Sequence, residues 1–571
     1  MKKIFSVIGL VLLGVAAFLI IENNYDNNIY FSRETGYYNQ AFELRILGGA
    51  GNEIYYTLDG SEPTPDSMVY EKGQTIYIDD ASNYENIYSA RTDTTTAFLT
   101  DIVEQYSMND PGYTVPDYNV DKCRVVRAAV FDENGELLDS EEAVYFVGFD
   151  KKSGYDEVYT VSIVTDPKNL FDYETGIYTT GATLDEYMKK FLGTEGEKNT
   201  PYWWWWNSNY SNGGPEWERE VKLTIFDENH SQLLSENCGI RIQGGGSRGF
   251  LPKSIGCYAR DEYSGSNKFS IDLFGNEKNP HKFVLFSGGD DNKFKLKDYV
   301  VNCLAEELNF ATMDFIPCVL FLNGEYWGSY YMIENYNSSY ISDHYGVEND
   351  NIIMFKNGEI KEGTEEDEEL YYEMRYFIAP NDMTRPEFYE QACEMIDVDS
   401  FIDYYASQIY IARMGDWPDT NYALWRTKNK ENSVYGDCKW RWMLFDVNSG
   451  GLDYENAEAD TLSYILEADA LFHAMYQNEA FRVRFVSRLL EIGREVYSVE
   501  KCNKWIDYYA DTMKEPILAS NRRFYNNKFE NEFEENVKQI RMFFEKRYEV
   551  VWKFLIENVG AEWMEMNGIV K

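Results

Sequence analysis

Positive charge is scarce in this chain relative to negative: 53 Lys and Arg stand against 97 Asp and Glu in 571 residues, a formal net charge of −44 at pH 7. Nucleic-acid backbones are held by Lys/Arg surfaces, so no nucleic-acid partner is expected; a basic peptide or a cation is the more natural one. Histidine is rarer still. His230, His281, His344 and His473 lie far apart, and neither H-E-x-x-H nor G-x-S-x-G occurs, which removes the usual zinc-protease and serine-hydrolase signatures. The eight cysteines (123, 238, 257, 303, 318, 393, 438 and 502) are scattered and form no C-x-x-C pair, so neither a zinc site nor a dense disulfide framework is indicated. There is no GxxxxGK[ST], no strict GxGxxG and no solenoid-type repeat. Among so many acids, nothing singles out a glycosidase-like carboxylate pair.

Aromatic residues, by contrast, are plentiful: 16% of the chain, with 47 Tyr and 13 Trp. That surplus over core needs fits carbohydrate-facing or extracellular surfaces. The length predicts two or three domains. Met1-Lys2-Lys3 precedes an apolar run from Ile4 to Ile21, long enough to span or nearly span a bilayer. Small residues at Gly14, Ala16 and Ala17 give no convincing A-x-A cleavage site. Residues 1–22 are therefore expected to be a signal anchor, with a cleaved signal peptide and a secreted product as the alternative. The expected location is the cell membrane, single-pass, with the remaining domains outside.

Residues 36–148 read as all β. Alternating segments such as Glu53–Leu58, Gln74–Ile78 and Cys123–Val130 are separated by Gly, Pro, Asp and Asn turns, which suggests a small sandwich. Ile54-Tyr-Tyr-Thr-Leu-Asp-Gly-Ser-Glu-Pro-Thr64, Tyr70, Val125–Gly135 and Tyr145-Phe-Val147 resemble the chitobiase/hexosaminidase carboxy-terminal-type module. That resemblance implies an Ig-like spacer or binding accessory. Residues 155–560 are of mixed α and β texture, with a helical carboxy-terminal part in which Phe481, Phe485, Leu489, Ile492 and Val496 recur at helical spacing. The fold class expected is α+β. The four tryptophans Trp203–Trp206 are expected to pack their rings onto the domain, an aromatic substrate platform being the other reading. Glu365–Glu369 reads as a solvated acidic loop.

Asp416-Trp-Pro-Asp-Thr-Asn421 places an acid and an amide five residues apart, a hairpin follows, and Asp446 ends its second strand. Kinase-type phosphoryl-transfer enzymes use that order of catalytic Asp, metal-binding Asn and metal-binding Asp. Upstream, strand-like Cys238–Gln243 leads into Gly244-Gly-Gly-Ser-Arg-Gly249 and a returning strand with Lys253. Glycines there would let backbone N–H groups approach phosphate oxygens, with Arg248 and Lys253 supplying charge.

Further segments complete a pattern: Val161–Asp172 with Gly176-Ile-Tyr178, Glu216–Arg219, Gly239–Arg248 with Pro252-Lys253, Phe321–Gly328 leading to Glu334, Asp416-Trp-Pro and Trp440–Asp446. In this order they resemble the CotH kinase family, the spore-coat-protein-H-like atypical kinases, over roughly residues 158–560. The resemblance implies a minimal protein-kinase-like fold that uses ATP and Mg²⁺ (or Mn²⁺) to phosphorylate Ser or Thr of a protein. It gives Lys253, with Arg241 or Arg248, to the ATP phosphates, Glu334 to the adenine pocket, and Asp416 to the substrate hydroxyl, with Asp419 competing. Asn421 and Asp446 would hold the metal, and Asp298 or Glu306 would pair with the lysine. Two departures stand out: Asp446-Val-Asn448 replaces a frequent Asp-x-Asp, and Thr420-Asn421 replaces Asn-Asn. The alternative function is a non-catalytic surface scaffold binding cell-wall or plant polysaccharide or a partner protein.

Overall fold

The computed structural model describes residues 27–100, 102–103, 112–192, 194 and 202–571. Two compact units emerge. The first comprises Met1–Asn267, Cys318–Tyr330 and Ala519–Lys528, the second Lys268–Pro317, Tyr331–Leu518 and Phe529–Lys571.

The first unit opens with strands β1 (Ile29–Phe31), β2 (Gly36–Tyr38), β3 (Phe42–Leu44), β4 (Ile46–Gly48), β5 (Glu53–Thr57), β6 (Met68–Val69), β7 (Ile76–Ile78), β8 (Arg124–Phe131) and β9 (Leu137–Val147). They form a five-stranded sheet in the order β2-β9-β8-β5-β6 and two pairs, β1-β4 and β3-β7. Side chains two residues apart share a face. Val126, Ala128 and Val130 of β8 and Ala143, Tyr145 and Val147 of β9 therefore meet Leu44, Ile46, Ile76 and Ile78 in one buried core. The β8–β9 turn is closed by Asp132, whose carboxylate accepts from Asn134 N and Glu136 N at 2.9 and 2.8 Å, while Gly135 takes φ 80°. This is the expected β-sandwich.

After the sandwich come β10 (Tyr159–Val164), β11 (Arg219–Phe226), β12 (Gln232–Gln243) and β13 (Ser254–Tyr258), a separate run in which each successive pair is antiparallel. Tyr37 stacks on Phe146 at 4.6 Å, and Phe146 in turn meets Phe226 and Phe321 edge-on at 5.6 and 5.0 Å. One aromatic cluster thus serves both the sandwich and the strands that follow, which is why they cluster as a single unit.

In the second unit, β14 (Lys282–Phe286) pairs with the end of β16 (Glu325–Ile333), a strand that follows β15 (Phe315–Leu322). A four-stranded antiparallel sheet, β18-β17-β19-β20, comprises β17 (Ile352–Lys356), β18 (Glu359–Glu362), β19 (Ala423–Thr427) and β20 (Arg441–Met443). Its inner face carries Ile352, Met354, Ala423, Trp425 and Met443 against Tyr336, Tyr340 and Ile341. Helices α1 (Lys297–Ala305), α2 (Val398–Tyr410), α3 (Glu479–Glu495) and α4 (Phe533–Val559) supply the helical part.

Asp397 starts α2 by accepting from Asp399 N and Ser400 N. Fully buried Arg547 of α4 ends it, donating to Ile409 O and Tyr410 O at 2.7 and 2.8 Å, carbonyls that a helix terminus leaves without intrahelical partners. The residues leaving this fixed end carry the site.

The single-pass membrane location is corrected here. Among the described residues no helix is long and apolar enough to cross a membrane, and the Ile4–Ile21 run of the expected anchor lies outside them.

Candidate functional site

Beyond α2 the chain turns at Ala412 (φ 56°) and inserts Arg413, which is fully buried. Its guanidinium donates to Phe445 O at 3.1 Å and to Asp446 O, joining this loop to the end of the β19–β20 hairpin. Nε of Arg413 has no hydrogen-bond partner and stands 4.0 Å from Asp416 Oδ1. Trp417, buried, donates from Nε1 to Tyr404 Oη of α2 at 3.2 Å, which pins the loop. Asp416 accepts from Trp417 N on Oδ1 at 2.7 Å and from Asn421 Nδ2 on Oδ2 at 2.5 Å. The amide nitrogen of Asn421 is thereby spent on Asp416. Asn421 and Asp446 take φ 56° and 55°, a left-handed conformation that Asn and Asp tolerate better than other non-glycine residues.

Asp446, Asn448 and Asp298 form the centre. Nδ2 of Asn448 donates to Asp446 Oδ1 at 2.7 Å and to Asp298 Oδ2. Asp298, on the first turn of α1, also accepts from Val447 N at 2.9 Å. The other end of the Asn448 amide, Oδ1, accepts from Asp290 N at 3.0 Å. The Asp290 loop is shaped by Asp291, whose carboxylate accepts from Leu296 N and Lys297 N at 2.7 and 3.0 Å.

Negative charge here is undercompensated. Burial, then Asp446, pushes the Asp298 carboxyl up to about 7. Burial likewise raises Asp446, with Asp416 adding to it while Arg413, Asn448 and Lys356 oppose. Asp290 is raised by burial, Asp446 and Asp416. Carboxylates held above their ordinary range by one another are relieved by a cation. Among the described residues no three His, Cys, Asp or Glu side chains form a closed metal site. The donors present, carboxylates and an amide, are hard oxygen groups of the kind Mg²⁺ prefers.

Lys356 ends β17 in this unit. Its partner across the ladder is Ala423, whose own partner is Met443, so Lys356 lies in one row with positions two residues after Asn421 and three before Asp446. Its ammonium stands 3.5 Å over the Phe445 ring.

Of the residues expected from sequence, Asp416, Asn421 and Asp446 come together, and Asp298 joins them through Asn448 rather than as a lysine partner. Asp419 is exposed. The others are committed elsewhere. Lys253 is 0% exposed; its ammonium donates to Arg248 O and Phe250 O and lies 3.7 Å from the Tyr210 ring, so as folded it has no surface to offer a phosphate. Arg241 is bound to Glu218, and Arg248 donates to Gly244 O, Ser211 O and Asn212 O.

The Gly-rich turn has a different occupant. A Cβ at Gly246 would come within 2.9 Å of Trp204 and 3.1 Å of Trp205, and one at Gly249 within 2.9 Å of Trp204. Its glycines admit the tryptophan run, of which Trp203 and Trp206 are buried.

Glu334 accepts from Asp314 N at 3.1 Å and lies 2.7 Å from His344 Nε2. The recess beside it holds about 40 Å³, far under the roughly 300 Å³ at which ligand pockets begin. Glu306 lines a cavity of about 520 Å³ with Tyr299, Asp314, Phe315, Trp505 and Tyr508.

Lys356, Asp290 and Arg413 are not legible as site residues in the sequence. The one available signal is that Lys356 closes the apolar run Ile352–Phe355 with a charge.

A family model described as CotH kinase protein matches residues 240–551, more than half of the chain. A second, described as chitobiase/beta-hexosaminidase C-terminal domain, matches residues 33–101. No curated protein matches the chain.

Proposed function

The chain belongs to the CotH kinase protein family, and from that premise we propose that it transfers the γ-phosphoryl group of ATP to a Ser or Thr hydroxyl of a protein acceptor. The observation that carries this reading is the pair of turns that sets Asp416 and Asn421 beside Asp446, with Asn448 and Asp298 behind it. Phosphoryl transfer asks little covalent chemistry of the protein and depends on positioning and charge neutralisation.

Asp446 and the carbonyl oxygen of Asn421 would hold Mg²⁺ or Mn²⁺, which when bound neutralises charge on the phosphate oxygens. Asn448 orients Asp446, its amide nitrogen shared between Asp446 and Asp298 and its oxygen held by Asp290 N, and Asp298 in turn holds Asn448. Asp416 accepts the hydroxyl proton of the acceptor. Both its oxygens are oriented, one by Trp417 N and the other by Asn421, so the carboxylate keeps its aim without a full counter-ion. The acceptor is a protein of basic character, matched to the chain's −44 charge.

The test is transfer of label from γ-labelled ATP with Mg²⁺ or Mn²⁺ to the protein itself or to a Ser-rich basic protein. The wild type labels, and Asp446→Ala and Asp416→Ala each lower the rate by two orders of magnitude or more while thermal unfolding stays cooperative. Absence of labelling by the wild type, or full labelling by Asp446→Ala, overturns the reading.

A further inference from the structure

An ammonium removed from water without a counter-ion is costly, and sequences avoid one where an apolar side chain would serve. Lys356, half-buried at the end of β17, approaches that condition. It shares the inward face of β17 with Ile352 and Met354, two residues and four residues before it, both members of the buried cluster that Phe445 packs against. Among the described residues its ammonium has neither a hydrogen-bond partner nor an ion pair, and it stands 3.5 Å over the Phe445 ring. The sheet register puts it at the same edge as Asn421 and Asp446. Burial has pushed it down to about 8, with Asp446 working in the opposite direction.

A partly desolvated cation with no ion-paired anion therefore sits beside carboxylates whose neighbouring cation, Arg413, stands 4.0 Å from Asp416 and donates no hydrogen bond to a carboxylate oxygen. Lysines and carboxylates that merely compensated each other would have formed an ion pair, and none is made. A metal–polyphosphate supplies both missing partners at once: its cation to the carboxylates, its phosphate oxygens to the ammonium.

We infer that Lys356 is the phosphate-binding lysine of this chain, contacting the polyphosphate of a Mg²⁺-bound nucleoside triphosphate in the place that the sequence offers to Lys253. The inference rests on the kinase reading of the same site.

Calorimetric titration of the full chain with Mg²⁺ and sodium tripolyphosphate, and separately with Mg²⁺ and ATP, tests it without recourse to turnover. Lys356→Met should weaken both by tenfold or more and leave the thermal midpoint of the ligand-free protein unchanged or higher, since it removes an unpartnered charge and keeps the stem. Lys356→Gln serves as the second variant should the first not fold. Wild-type binding with less than a tenfold loss in the variant overturns the role of Lys356 alone. A wild type that binds neither triphosphate overturns it together with the kinase reading.

Discussion

The side-chain amide of Asn448 donates to the Asp446 carboxylate across 2.7 Å, and the same nitrogen reaches Asp298. An aspartate at this position would set a further acid against Asp446 and Asp298, both already raised by burial. The departure from Asp-x-Asp thus has a local electrostatic reason, and it leaves Asp446 as the metal-facing acid of the proposed site.

Asn448→Asp should destabilise the protein in chelator, each lost hydrogen bond to a charged group being worth about 1.5–3 kcal/mol. Mg²⁺ should restore part of the loss by neutralising the enlarged cluster. Thermal unfolding with chelator and with Mg²⁺ measures both; equal midpoints for variant and wild type in chelator would contradict the bond.

Asp298 makes stability pH-dependent. In the folded chain it keeps its proton up to about 7, whereas unfolded it releases it near 3.9. The folded state binds more protons across that window, so this group's contribution is fully present below about pH 4 and is lost as pH rises through about 7. Asp298→Asn should flatten the fall in stability between those values, as read from denaturant midpoints over a pH series at low divalent cation. Saturating Mg²⁺ should flatten it too, by favouring the ionised form.

Gly246→Ala should cost about 1–3 kcal/mol, because the added methyl overlaps Trp204 and Trp205. If the turn serves the tryptophans, affinity for Mg²⁺ and tripolyphosphate remains at the wild-type value in the folded variant. A selective loss of affinity without loss of stability would return the turn to phosphate binding.

Lys253→Met should lower the unfolding free energy by about 1–3 kcal/mol, since the carbonyls of Arg248 and Phe250 lose their donor. Its triphosphate affinity should match the wild type, the reverse of Lys356→Met. Comparing the two methionine variants in one titration series distinguishes a lysine that holds structure from one that awaits a ligand.

Much of the fold was legible because it is written locally. Period-two alternation in Val126, Ala128 and Val130 marks a strand, Asp132 to Gly135 marks its turn, and the 3.6-residue recurrence of Phe481, Phe485 and Leu489 marks a helix. The proximity of Asp416, Asn421 and Asp446, though not their roles, was legible for the same reason: two short turns flanking one hairpin bring them together. Lys253 and the Gly-rich turn misdirect because lysine and glycine look alike in a phosphate loop and in a turn packed under tryptophans; only the rings of Tyr210 and Trp204 distinguish the two.

The sequence by itself determined the α+β fold class, the family resemblance and the acid–amide–acid order, because each is carried by short local patterns and by their order along the chain. The tertiary structure decided which cations are closed off and which are left waiting. Lys253 and Lys356 differ in what surrounds the ammonium: Arg248 O, Phe250 O and the Tyr210 ring for one, a single Phe445 ring and an edge of carboxylates for the other. The Tyr210 and Phe445 rings come from segments far from either lysine in sequence, so desolvation and charge balance, which set the role of each lysine, exist only once the chain is folded.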